Sequence, residues 1–314
     1  IVFGDWSSDV CSSDLVTSIF TGLAPLNHAV LAWFIFLKEL GVVSTILPMH
    51  TRAFKSPLVN KEIRPHAIFQ VSPLFPTFPV KTYVLTPKGL QNTPYNQSII
   101  GPVQQIGYEK FADLSNFIEN ICKTGKEKKF IMVYWPKLDE IGHEKGIHGE
   151  SAVKQFNSLK ANVENLVIKL QSLPEKTKII AIADHGQLDT PKNHNINIEN
   201  HPKLSDCLAL PLCGEGRAAF CYVRPAKVAD FEAYVNAELG DVCMLKTGTD
   251  LVKDGVFGQF KPHPRFFERI GDFILLMNED YVIKDTLLGE KRNELIGNHG
   301  GLHEDEIYVP FIVI

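Results

Sequence analysis

The sequence predicts an α/β fold: a doubly wound, mainly parallel sheet with a small inserted α/β cap. Three observations carry this. Unbroken apolar runs, Phe130–Trp135 ("FIMVYW") and Ile179–Ala183, read as strands buried on both faces. Helical patterns at Glu109–Cys122 and Glu150–Leu173 alternate with those runs. After Asn200 the composition shifts to a short strand–helix–strand unit, and core-like strands then return.

Taken in order, Val16–Thr21 opens a helical pattern that Gly22-Leu-Ala-Pro25 breaks. Asn27–Leu40 reads as a second helix; its core "HAVLAWFIFL" is flanked by charge and is too short to span a bilayer. Val42–Pro48 is β-branched and ends in proline, so it reads as a strand. Thr51–Gln105 is rich in proline and aromatic residues and reads as irregular, apart from one element at His66–Phe69 and a strand at Val80–Leu85. In Glu109–Cys122, Phe111, Leu114, Phe117, Ile118 and Ile121 share a face. In the helix from Glu150, Val153, Phe156, Leu159, Val163 and Leu166 are expected to point inward. Residues 204–265 are expected to form the cap, and 16–203 with 266–314 the core. Gly271–Asn278 and Tyr308–Ile314 are read as core strands.

Residues 1–15 are set aside. Phe3–Leu15, "FGDWSSDVCSSDL", has the style of translated adapter sequence joined to a coding region. The chain is therefore read as N-terminally truncated, with native-looking sequence from about Val16.

Composition excludes some function classes. With 314 residues, 45% hydrophobic, 22% charged and a net charge of −4, the chain is an ordinary globular one. Neither nucleic acid nor an anionic membrane is an expected partner. Lys123, Lys126, Lys128 and Lys129 form a solvated turn, not a nucleic-acid patch. The six cysteines show no CxxC pair, which favours reduced thiols and a cytoplasmic location. Oligomeric state is not encoded in any pattern found.

Three acid–imidazole clusters carry the chemistry. Asp184-His185-Gly186 ends the strand Ile179–Ala183; both side chains bind divalent cations, and glycine lets the chain turn close to a ligand. Asp139 and His143 follow the strand Phe130–Trp135 at a four-residue interval, which brings both to one face of a helical turn. His299 lies between Asn298 and Gly300-Gly301, with His303 as its competitor. All three lie just outside strands, where ligand sites form in such sheets. The remaining candidates have plainer readings. His28 is expected to be structural, and His148, His194, His201 and His263 to be loop residues, with His194 and His201 closest in sequence to the site. Arg217 is expected in a salt bridge rather than on a phosphate.

D-x-x-x-H, then D-H-G, then H-G-G, in this order, resembles the alkaline phosphatase superfamily, and within it the type I phosphodiesterases and nucleotide pyrophosphatases. "TSIFTGLAPLNHAV" resembles the helix that follows that family's nucleophile. The resemblance implies two divalent metal ions, usually zinc. One would be held by Asp139, His143 and His299; the other by Asp184, His185, an N-terminal Asp and a Ser or Thr nucleophile. It further implies in-line attack by that hydroxyl on a small phosphate ester or nucleotide, a covalent intermediate and its hydrolysis. By the family's spacing the nucleophile falls nine residues before Thr21, at Ser12, inside the segment set aside. The first strand with its metal-binding Asp is expected to have no counterpart, leaving five ligands. Alternatives are a phosphomutase or sulfatase on the same scaffold, or a metal-binding pseudoenzyme or inactive fragment.

Overall fold

The computed structural model describes residues 2–4, 13–60, 63–174, 176–291 and 294–314. Among these, a six-stranded sheet carries the candidate site. In chain order its strands are β1 (Val2–Gly4), β5 (Lys81–Pro87), β6 (Gln104–Tyr108), β7 (Lys129–Tyr134), β8 (Ile180–Ile182) and β17 (Phe311–Val313). Their spatial order is β17-β8-β1-β7-β5-β6. All neighbours are parallel except β17, which runs antiparallel to β8 at the edge. The sheet is therefore mixed.

Alternate residues of its strands feed two different cores. Val84, Met132 and Tyr134 pack into one cluster; Tyr83, Leu85, Ile131 and Val133 pack into another, with Leu114, Ile118, Leu166 and Leu170 from helices Phe111–Lys123 and Glu150–Gln171. Burial on both faces explains why these strands are unbroken apolar runs in the sequence.

The expectation that the first strand has no counterpart is corrected. Val2–Gly4 lies between β8 and β7, in register Val2↔Ile180 and Val2↔Met132. The backbone groups of both neighbours need partners there, and Ile-Val-Phe is a sequence of high strand propensity.

A second sheet, entirely antiparallel, joins strands that the sequence shows only singly. It comprises β2 (Phe34–Leu37), β3 (Val42–Thr45), β4 (His50–Thr51), β11 (Cys213–Gly214), β12 (Ala218–Cys221), β13 (Cys243–Lys246) and β14 (Phe273–Met277), ordered β13-β14-β12-β11-β2-β3-β4. The expected helix Asn27–Leu40 is thereby corrected: helix covers only Pro25–His28, is closed by Ala29 in the left-handed region (φ 52°), and gives way to β2. Ile35 and Leu37 are fully buried in the core shared by the two sheets. A short apolar run of this kind cannot be assigned to helix or strand by periodicity.

The boundaries 204 and 265 do not divide this sheet. β12 pairs with β14, which was expected in the core, and β11 pairs with β2 from the first fifty residues. Ala218–Cys221 nonetheless stays outside the six-stranded sheet. The far face of β12 and β14 is covered by Leu204, Phe231 and Val235 from the helical segments 202–207 and 228–239.

Two further corrections concern helices. Val153 and Phe156 are exposed, and the inward face of Glu150–Gln171 runs through Leu166 and Leu170. The irregular region contains a helix, Pro94–Ile100, capped by the Thr93 hydroxyl, which accepts from the Asn96 N–H. No helix among the described residues is long and apolar enough to cross a membrane.

Candidate metal centre

The site is built where β7 and β8 end. Beyond Tyr134 the chain enters helix Lys137–Lys145, which carries Asp139 and His143 on one face. His143 Nε2 lies 3.3 Å from Asp139 Oδ2. His299 arrives from far along the chain. It follows β16 (Gly297–Asn298), which pairs antiparallel with β9 (Leu188–Asp189), the strand just after the Asp184-His185 turn. Its Nε2 lies 3.7 Å from Asp139 Oδ1. One ligand atom from each of Asp139, His143 and His299 falls within 4.8 Å of the other two, and all three residues are buried. That spacing suits one ion with bonds of about 2 Å.

His303 stands apart from the cluster. It caps helix Glu304–Ile307, its Nδ1 accepting from the Asp305 N–H at 3.2 Å.

Asp184 and His185 lie just past β8, with side chains 2% and 9% exposed. The His185 ring stacks on His299, centroids 3.7 Å apart and planes 18° apart. The two acid–imidazole groups are therefore neighbours.

Hydrogen bonds fix which atoms face inward. His143 Nδ1 lies 2.8 Å from the Gly297 carbonyl, and His185 Nδ1 lies 2.8 Å from the Gly186 carbonyl. A carbonyl only accepts, so Nδ1 holds the hydrogen, and Nε2 is the ring nitrogen that faces the site. Asp139 Oδ1 accepts from the Gln187 amide at 2.9 Å, and Asp184 Oδ1 from the His185 N–H at 3.0 Å. Asp139 Oδ2, His143 Nε2, Asp184 Oδ2 and His185 Nε2 remain buried without a hydrogen-bond partner among the described residues. Buried acceptors left in this state are costly. Cations at the two positions would satisfy all four, so the residues fit divalent ions.

A model of the type I phosphodiesterase/nucleotide pyrophosphatase family matches residues 16–302. The chain belongs to that family. It is a hydrolase of the phosphodiesterase/pyrophosphatase type. A search of curated protein sequences gives no match. Among solved structures the fold is similar to human ectonucleotide pyrophosphatase/phosphodiesterase 5, with 14% identity, a TM-score of 0.72, and coverage of 100% of this chain and 87% of that one. An inactive variant of the murine protein in complex with AMP gives 15% identity and a TM-score of 0.70, with the same coverage. Phosphonoacetate hydrolase from Sinorhizobium meliloti 1021, in complex with phosphonoformate, gives 15% identity and a TM-score of 0.65, covering 99% of this chain and 80% of that one.

Within this family member, burial and mutual charge set the electrostatics of the second group. Burial pushes the Asp184 carboxyl up to about 6, against the opposing pull of His185. Burial alone would lower His185; the carboxylates of Asp184 and Asp139 and the Gly186 carbonyl outweigh it and raise it. A cation would reverse the logic for the acids by stabilising their charged form.

Sequence reasoning missed one carboxylate. Asp14, at the start of helix Ser13–Thr21, has a buried Oδ1 without a partner among the described residues. Burial pushes this carboxyl to about 7, and it feels the charges of His185 and Asp184. It belongs to the segment set aside, so no pattern in the sequence singled it out. Ser12, the nucleophile position implied by spacing, lies outside the described residues.

The other candidates fall into structural roles. His28 is buried, accepting the Val30 N–H at Nδ1 (3.1 Å) with Nε2 on the Ser18 hydroxyl. His194 pairs with Asp280 and stacks on Tyr281; His201 meets the Tyr234 hydroxyl. His263 accepts from the Arg265 N–H, and His148 is exposed. Arg217 forms a salt bridge with Glu306.

Proposed function

We propose that this chain hydrolyses phosphodiester or nucleotide pyrophosphate bonds in a small substrate, at a centre for two divalent ions, with zinc the preferred metal. The observation that carries the reading is the set of four buried, unpartnered acceptor atoms on Asp139, His143, Asp184 and His185, gathered beside His299. Asp139, His143 and His299 would hold one ion; Asp184 and His185 would contribute to the other. Ions bound there supply Lewis acidity, drawing charge off a phosphoryl oxygen and a leaving oxygen.

The protein's own part is orientation. The Gly297 and Gly186 carbonyls hold both imidazoles in the ligand-ready tautomer. Gln187 pins one Asp139 oxygen and leaves the other for the ion. By the family's spacing a hydroxyl at position 12 would be the nucleophile. Nucleotide chemistry for the substrate is supported by the family and by the AMP complex of a similar fold.

The test is a substrate panel on purified protein, with zinc added and with a chelator: an aryl phosphodiester, an aryl ester of a nucleoside monophosphate, a dinucleoside pyrophosphate, an aryl phosphomonoester and an aryl sulfate. Zinc-dependent cleavage of the diester and pyrophosphate substrates is expected, lost in Asp184→Asn. Cleavage of the monoester or sulfate in preference would refute the assignment.

A further inference from the structure

Arg217 and Glu306 form a buried ion pair, 89 residues apart in sequence, with side chains 1% and 2% exposed. Arg217 Nη2 lies 2.8 Å from Glu306 Oε2, and its Nε lies 3.2 and 3.3 Å from the two carboxylate oxygens. The other nitrogen, Nη1, donates to the carbonyls of Tyr281 (2.6 Å) and Asn278 (3.3 Å). Arg217 immediately precedes β12, so the guanidinium is anchored in the antiparallel sheet.

Glu306 then reaches both ligand-bearing turns. Its Oε1 accepts the Gly301 N–H at 2.9 Å and its Oε2 the His303 N–H at 3.2 Å, which fixes the turn leaving His299. Its backbone carbonyl accepts the Gly186 N–H at 2.8 Å, which fixes the turn leaving His185. The second contact has no slack: a Cβ at Gly186 would sit 1.8 Å from the Asp305 carbonyl oxygen.

A buried ion pair is a weak device for stability, because desolvation offsets most of its attraction. Its two planar groups do impose direction: the guanidinium is fixed on the 278–281 turn, and the carboxylate it orients binds the turn after His299. We infer that Glu306, oriented by Arg217, is a positioning residue that holds the His299 and Asp184-His185 turns in register, so that both ion sites depend on it. This rests on the metal-centre reading above. Loss of such a supporting contact typically costs about 10- to 100-fold in metal affinity.

The experiment titrates Co²⁺ into the purified chain and follows its visible d–d absorption, with far-UV circular dichroism and a melting curve for each variant. Glu306→Gln keeps the shape but removes the charge and one acceptor. Its Co²⁺ dissociation constants at both sites are expected to rise roughly tenfold or more, with shifted absorption bands. Gly301→Ala leaves both charges in place but puts a Cβ 2.8 Å from Glu306 Oε2; it is expected to move affinity the same way and replaces the first variant if that one does not fold. Ile118→Val, in the core that helices Phe111–Lys123 and Glu150–Gln171 form against the six-stranded sheet, is the stability control: a lower melting temperature with unchanged affinity. Folded Glu306→Gln or Gly301→Ala protein binding Co²⁺ within twofold of wild type at both sites would overturn the inference. Absence of Co²⁺ binding by the wild-type chain would instead refute the metal centre itself.

Discussion

His143 Nδ1 sits 2.8 Å from the carbonyl of Gly297, across 154 residues of sequence. The His143 carbonyl in turn accepts the Ile296 N–H at 2.8 Å. Two reciprocal bonds thus bind the helix bearing Asp139 and His143 to the strand that delivers His299. Hydrogen bonds to backbone groups hold the three proposed ligand residues in place.

From that preorganisation follows a metal-dependent stability. Zinc at about one hundred times its dissociation constant adds about 2.7 kcal/mol to a protein that binds it only when folded. The melting temperature is expected to rise on zinc addition and to return on chelation. His299→Ala removes a ligand common to this arrangement and is expected to abolish most of the rise. Differential scanning fluorimetry with and without zinc reads this, and an equal rise in the variant would contradict the ligand assignment.

A second prediction concerns the antiparallel sheet. Arg52 is buried against Asp285 (2.7 Å), Glu290 (3.1 Å) and the Leu212 carbonyl (2.7 Å), with its guanidinium 4.2 Å from the Phe34 ring centroid. Removing one partner of such a network leaves buried charge uncompensated and costs about 3–5 kcal/mol. Arg52→Ala is expected to destabilise by that order in urea unfolding. Arg52→Lys should recover little, since an ammonium cannot reproduce the planar fork. Full recovery by lysine would show that charge alone matters at this position.

The uneven success of sequence reading has a physical basis. β7, β8 and the clusters Asp139/His143, Asp184/His185 and His299 were readable because each is a local pattern: an apolar run, then a polar turn. Convergence of His299 with Asp139 was readable only through the family resemblance. Strands of the second sheet such as Val42–Thr45 and Phe273–Met277 were readable as apolar runs, but their joining into one antiparallel sheet left no local sign. Its register joins Gly214 to Phe34 and Ala218 to Leu276, and pairings so distant impose no period on either segment. β2 additionally mimicked a helix because apolar groups cover both of its sides. Asp14 was missed because its whole segment was set aside on style, whereas Val2–Gly4 and helix Ser13–Thr21 both occupy places in the fold.

His28, which is not among the proposed metal ligands, supplies a pH prediction. Burial, with the nearby Arg269 and His263 charges, depresses this imidazole from 6.5 to about 3. Protonation would also break the bond from the Val30 N–H to Nδ1. Between those two values the unfolded chain binds a proton that the folded chain refuses. Stability from this group is therefore intact above pH 6.5 and is lost as pH falls toward 3, by up to about 1.4 kcal/mol per pH unit. In urea unfolding at pH 7 and pH 5, His28→Asn, which keeps an acceptor and does not titrate, is expected to lose less stability on acidification than wild type. Equal losses would mean that His28 is protonated in the folded protein.

The two proposed ion sites are expected to differ in strength. The site of Asp139, His143 and His299 has three buried ligands within 4.8 Å of one another. For the other proposed site the described residues supply Asp184 and His185, and burial raises the Asp184 carboxyl to about 6, so that protons compete with a cation there as pH falls. Among the described residues three proposed ligands serve the first site, and Asp184 and His185, with the Asp14 carboxyl nearby, serve the second; fewer protein ligands hold zinc less firmly. Calorimetric zinc titration is expected to give one tight and one weaker event, with Asp139→Asn removing the tight one and Asp184→Asn only the weak one. Turnover of an aryl phosphodiester should follow occupancy of the weak site, since that is where the hydroxyl nucleophile would be activated. Two equally tight events, each lost in both variants, would mean that the ions bind as one cooperative cluster. Robust turnover abolished by Ser12→Ala would identify the nucleophile directly.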